Sequence, residues 1–154
     1  MLTDILKEQN ITICQEKMDY PQVIQCLIDL VDIDQDQQQQ IVNFINSNEK
    51  LTSSTLGKGV MLFKAWPVQI QSTHCSLLIF PQGCEIEAFD DQIITICGLI
   101  AAPQEKEQQY HQLLISWLRM LNESSLRDDF IECDTPQEVI NLIREEEKEI
   151  ESTS

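Results

Sequence analysis

Two histidines, six cysteines and a lysine set between glycines are the residues of this sequence whose types could do chemistry. The lysine lies in Leu56-Gly57-Lys58-Gly59, which holds two of the chain's four glycines and runs straight into the apolar stretch Val60-Met61-Leu62-Phe63. A glycine loop beside a strand can cradle phosphate. The phosphate-loop spacing G-x-x-x-x-G-K-[ST] is absent, however, and the dinucleotide pattern G-x-G-x-x-G lacks its third glycine and its following helix. Taken alone, the segment reads as a tight turn. A neutral imidazole is a good nucleophile near pH 7, which makes His74 and His111 the other candidates. His74-Cys75 with Cys84 and Cys97 has none of the local spacing of zinc ligands, so no metal site is expected. The sequence contains no G-x-S-x-G nucleophile elbow. Cysteines 14, 26, 75, 84, 97 and 133 never form C-x-x-C and mostly sit in apolar runs such as CSLLIF and TICGLI, so they read as buried free thiols. Trp66 and Trp117 read as packing anchors.

These residues must be positioned by regular elements, and the hydrophobic pattern shows which. ITICQ alternates Ile11 and Ile13 with polar neighbours, the period of a half-buried strand. DYPQVIQCLIDLV offers a cap at Asp19, a proline in the first turn and apolar residues at Val23, Leu27, Leu30 and Val31, which predicts a helix. A second helix is predicted through DQQQQIVNFI, capped by Asp34 or Asp36, with glutamines 37–40 as its wet first turn. GVMLF, VQI, HCSLLIF, CEIEAF and IITICGLIAA then read as a series of strands, the last almost without a polar face and stopped by Pro103. Such a run needs helices on both sides. YHQLLISWLRML supplies one, with Leu114, Trp117, Leu118 and Leu121 on one side, and Thr135-Pro136-Gln137-Glu138 opens another with a capping box. The expectation is a mixed α/β fold with a mixed parallel and antiparallel central sheet flanked by helices on both faces. Residues 1–144 form one domain in this reading, and residues 145–154 form a separable acidic tail.

Composition narrows the functional classes. The chain has 154 residues, 42% of them apolar, which is enough for one core. Its 26 acids against 10 lysines and arginines give a formal charge of −16, spread along the chain; the tail segment EEEKEIE supplies −4 of it. Nucleic acid is therefore excluded as a partner, and basic protein surfaces are favoured. No apolar run approaches membrane-spanning length and Met1-Leu2-Thr3-Asp4 opens with an acid, so a cytoplasmic protein with no membrane insertion is expected.

One wider pattern remains. Residues 53–64, S-S-T-L-G-K-G-V-M-L-F-K, resemble the active-site stretch of enzyme IIA domains of the bacterial sugar phosphotransferase system, in the mannitol, fructose and nitrogen-regulatory class. In that class G-x-G-[IV]-A-[IV]-P-H ends in the histidine that carries a phosphoryl group. Gly57, Gly59, Val60 and Leu62 match, whereas Met61, Phe63 and Lys64 do not. The run D-D-Q-I-I-T-I-C-G-L-I-A-A-P at 90–103 is similar to the family's acid, hydrophobic run and A-x-P, and the segments that follow keep family order to about residue 144. The resemblance implies a phosphoacceptor position at Lys64 surrounded by Gly57, Gly59, Phe63 and either Tyr110 or His111, the last two marking where a second family histidine falls. An ordinary lysine amine titrates near about 10.4 and is protonated at neutral pH, so Lys64 is a poor substitute for imidazole. The implied protein is a catalytically inactive, regulatory enzyme IIA, locked in an unphosphorylated-like state, with no cofactor. Its partners would be proteins, either the histidine phosphocarrier protein or regulated targets. The alternative is an active phosphoryl carrier that uses His111 or His74.

Overall fold

In the computed structural model, which describes residues 1–48 and 54–153, helix α1 spans Tyr20–Asp29 and begins where the sequence places its cap. The Asp19 carboxylate accepts from the Gln22 N–H at 3.0 Å, and the Gln22 side chain accepts from the Asp19 N–H at 2.9 Å, satisfying two amides that a first turn otherwise leaves unpaired. Helix α2 (Gln35–Asn48) is capped by Asp34, whose Oδ1 accepts from the Gln37 N–H at 2.8 Å, while Asp36 lies inside the first turn. Val23, Leu27 and Ile28 of α1 and Ile41 and Ile45 of α2 turn inward.

Among the described residues, five strands form one sheet: β1 (Ile11–Ile13), β2 (Thr55–Gly57), β3 (Val60–Ala65), β4 (His74–Ile79) and β5 (Ile96–Ala101), in the order β1-β4-β5-β3-β2. β1 runs parallel to β4 and β3 parallel to β5, whereas the β4–β5 and β2–β3 pairs are antiparallel. β5 is central and every residue in it is buried, as an apolar run without a polar face requires. Alternation along the strands sorts the core into two halves. Met61, Phe63, Leu78 and Cys97 face α1 and α2. Val60, Leu62, Leu77, Ile96 and Ile100 face α3 (Glu107–Leu121), α4 (Ser124–Glu132) and α5 (Pro136–Thr153). Trp117 of α3 lies so close to the sheet that a Cβ at Gly98 would meet its ring at 3.0 Å, so the largest anchor of this half needs glycine beneath it.

Several expected elements differ. VQI and CEIEAF are not strands: Val68, Ile70, Ile86 and Ala88 are buried as their alternation implies, but their backbones bond to loops. The Cys84 N–H donates to the Ile94 carbonyl at 2.9 Å and the Glu85 N–H to the Met18 carbonyl at 2.8 Å, with no ladder beside them. The run at 93–102 is strand only over Ile96–Ala101. Leu118, expected on the core side of its helix, is 40% exposed, and Leu113 and Met120 are buried in the face with Trp117 and Leu121. Helix α5 runs to Thr153, and the Glu147 carboxylate accepts from the Leu2 N–H at 2.7 Å and the Thr3 hydroxyl at 2.5 Å.

Candidate functional site

Strand β3 links the two ends of the predicted site, and its two ends do different work. At its start, Lys58 and Gly59 are the two central residues of the β2–β3 hairpin, with φ of 60° and 81°. Positive φ at both positions is what a type I′ turn needs. A Cβ at Gly59 would meet the Ile93 carbonyl oxygen at 2.6 Å, so glycine is required for close approach as well. The Asp90 carboxylate holds this turn, accepting from the Lys58 N–H at 3.0 Å and from the Gln92 N–H at 3.1 Å. Gly57 and Gly59 thus shape the β2–β3 hairpin. From Gly59, five residues of strand rise put Lys64 about 17 Å away. Ser53, which heads the resembling stretch, lies outside the described residues.

At the far end of β3 the side chains converge. Lys64 is half-buried, pairs in register with Ile100, and by alternation shares the α3 face with Val60 and Leu62. Trp66 follows on the same face, just before a cis peptide bond to Pro67, and stacks on Tyr110 with ring centroids 5.2 Å apart and planes 11° from parallel. The exposed imidazole of His111 closes the group, its centroid 5.5 Å from Trp66 and 5.4 Å from Tyr110. Both residues that the sequence offered for the second family position therefore stand here, one turn into α3. The Trp66 indole Nε1 is buried and finds no acceptor among the described residues. Trp66, read from sequence only as an anchor, belongs to this group; the signal for it was its place two residues beyond Lys64 on one strand face.

Two predicted residues fall elsewhere. Phe63 adjoins Lys64 in the chain but points to the opposite face, where it packs edge-on against Tyr20 with centroids 5.6 Å apart. His74 pairs with Ala101, whose side chain also belongs to the α1 face, and its Nε2 lies 3.2 Å from the Ser72 hydroxyl. Burial pushes the His74 pKa down from its ordinary value, against an opposing pull from Asp32. The sheet thus separates His74 from Lys64.

Beyond the carboxyl ends of the parallel pair β3 and β5 opens a groove of about 740 Å³, lined by Pro67, Pro103 and the start of α2. Its ionisable lining residues are Asp34, Asp36 and Glu105, so the groove is acidic. Among the described residues no group of histidine, cysteine and acidic side chains could hold a metal ion. No helix among them is long and apolar enough to cross a membrane.

Comparison with known proteins gives the family and the fold. The family described as phosphoenolpyruvate-dependent sugar phosphotransferase system, EIIA 2, matches residues 4–146. Among solved structures, the nitrogen regulatory protein IIA-Ntr of Neisseria meningitidis superposes with a TM-score of 0.78 at 14% identity, covering 92% of this chain and 98% of that one. The mannitol-specific cryptic phosphotransferase enzyme IIA CmtB of Escherichia coli gives 0.66 at 18% identity, covering 92% and 97%. The structure of the Escherichia coli complex of enzyme IIA-mannitol with phosphorylated enzyme IIB-mannitol gives 0.64 at 19%, covering 91% and 99%. At these identities the likeness is one of fold. No curated protein sequence matches the chain.

Proposed function

The chain belongs to the phosphoenolpyruvate-dependent sugar phosphotransferase system EIIA 2 family, and from that premise we propose that it is a regulatory protein-binding module held in an unphosphorylated-like state. The observation that carries this reading is Lys64, which stands where the resembling motif has its phosphoacceptor histidine. A phosphohistidine would present up to two negative charges there, whereas a lysine ammonium presents one positive charge. Relay proteins and targets that respond to the charge at this point meet one sign only. The surroundings suit a protein partner: the exposed His111 ring, and an acidic groove beyond the strand ends that favours basic side chains. The partner in this reading is the histidine phosphocarrier protein or a regulated target with a basic docking surface.

A second reading is favoured by His111 alone. Its exposed imidazole stands within the aromatic group next to Lys64, where a displaced phosphoryl acceptor would have to be. One experiment separates the two. The purified protein is incubated with phosphoenolpyruvate, enzyme I and the histidine phosphocarrier, and its intact mass is read at alkaline pH. The regulatory reading expects no phosphate adduct on the wild type and an adduct on Lys64→His. An adduct on the wild type that disappears in His111→Ala overturns it in favour of a rewired carrier.

A further inference from the structure

The two ends of β3 carry grooves of opposite sign. At the hairpin end, between β2–β3 and the last turns of α3, a groove of about 520 Å³ is walled by Leu56, Val60, Ile115, Leu118 and Leu121. Among the described residues its charged lining is Lys58 and Arg119 alone, with no carboxylate. The Lys58 ammonium donates across the gap to Asn122 Oδ1 at 3.2 Å, a neutral acceptor that leaves its charge unbalanced. Arg119 is exposed and forms no hydrogen bond or ion pair among the described residues. Two acidic groups of residues lie nearby. Asp90, which holds the hairpin, has both oxygens engaged by backbone N–H groups, and Glu146, Glu147 and Glu151 share a separate, smaller cavity with Arg119. In a chain of formal charge −16, a hollow lined by two cations and no acid departs from the rest of the surface.

The same place is where apolar side chains are left in water. Ile115 is 55% exposed and stands with Leu118 at i and i+3 on the outward face of α3, opposite the buried stripe of Leu113, Trp117 and Met120. Leu56 faces solvent on the hairpin side. Phe89 and Ile93, at 66% and 68% exposure, extend the apolar surface beside the hairpin: a Cβ at Gly57 would meet the Phe89 ring at 3.6 Å, and the Ile93 backbone lies against Gly59. Among the described residues every exposed large apolar side chain except Met1 therefore lies in or beside this groove. An apolar patch rimmed by charge is the mark of a contact surface.

We propose that this groove is a docking surface for an amphipathic helix of a partner protein that carries acidic residues beside its apolar stripe. Apolar walls from α3 and the hairpin receive anchors spaced i, i+3, i+4 and i+7, while Lys58 and Arg119 meet the flanking carboxylates. A basic helix finds no carboxylate in this groove and is drawn to the acidic one beyond the other end of β3. A second copy of the chain is disfavoured, since it sets −16 against −16. The seven residues of α3 from His111 to Leu118 span about 10 Å, so this surface is separate from the Lys64 group and independent of whether that group takes phosphate.

The test titrates the full, isotope-labelled chain with a capped synthetic helix bearing leucine at i, i+3, i+4 and i+7, glutamate on both sides of that stripe and alanine elsewhere. A counterpart with lysine for every glutamate is the control. Both are followed by amide chemical shifts at about 0.15 M salt, where the screening length of about 8 Å mutes the distant acids. The expected result is saturable movement of the Leu56, Lys58, Ile115, Leu118 and Arg119 amides with His111 unmoved, and binding of the glutamate helix roughly tenfold tighter than the lysine helix. Lys58→Glu combined with Arg119→Glu should reverse that preference. Both side chains are exposed, and the comparison of the two helices on the wild type decides the matter even if the double variant does not fold. Equal or tighter binding of the lysine helix, shifts centred on the acidic groove, or no saturable shift up to about 1 mM overturns the proposal. Shifts of the same amides with protein concentration alone also overturn it, in favour of a second copy as the occupant.

Discussion

His74 is held partly out of water on the α1 side of the sheet, and burial favours its neutral form. The unfolded chain, with the ordinary value of 6.5, binds a proton more readily than the folded one. Its contribution to stability is therefore complete above pH 6.5 and is lost as the pH falls through and below that value. Denaturant titrations on either side of pH 6.5 should show the wild type losing stability on acidification more steeply than His74→Gln; equal slopes would mean that His74 is solvated alike in both states. The same alternation that places His74 there divides Phe63 from Lys64. A motif read along the chain treats those neighbours as one site, but successive side chains of a strand leave on opposite sides of the sheet. Tyr110 and His111 were alternatives because the family position falls on one or the other with a one-residue slip in alignment, and both rings lie within 5.5 Å of Trp66.

Among the elements, the β2–β3 hairpin is the one most dependent on a single residue. Gly59→Ala forces a side chain into positive φ and against the Ile93 carbonyl, and should cost about 2 kcal/mol, read as a lower urea midpoint at unchanged slope. A change under the error of the fit would mean that the turn relaxes without loss. Three helix starts were legible because their caps are chemical: Asp19 with Gln22, Asp34 with Gln37, and Thr135 ahead of Pro136; α4 (Ser124–Glu132) has no such side-chain cap and was not read. Strands were less so. Val68, Ile70, Ile86 and Ala88 follow the period of two because an extended loop laid on a core also buries every second residue, and period reports burial where only partners make a ladder. β2 escaped notice because three residues beside a glycine turn carry no pattern of their own. Pairing order escaped too, since nothing in the runs themselves says that β5 lies between β4 and β3.

Over the whole molecule, 26 acids face 10 basic side chains, so self-repulsion works against the compact state at low salt. Raising ionic strength to about 0.15 M, where the screening length is about 8 Å, should raise the melting temperature by a few degrees and weaken any complex with a basic partner over the same range. A melting temperature that falls with salt would show that favourable ion pairs outweigh the repulsion. The strand order has a consequence for how the chain is made. β3 and β4 precede β5 in the sequence, yet β5 is the strand that joins them, parallel to one and antiparallel to the other. On the ribosome the chain emerges from its N-terminus, so the β2–β3 hairpin and the β1–β4 pair are complete while residues 96–101 are still unmade. During that interval each half shows an open apolar edge to the other and to any neighbouring nascent chain. The central strand is thus the last stitch of the sheet, and a pause in synthesis just before Ile96 is the moment at which this protein is most prone to pair with the wrong partner.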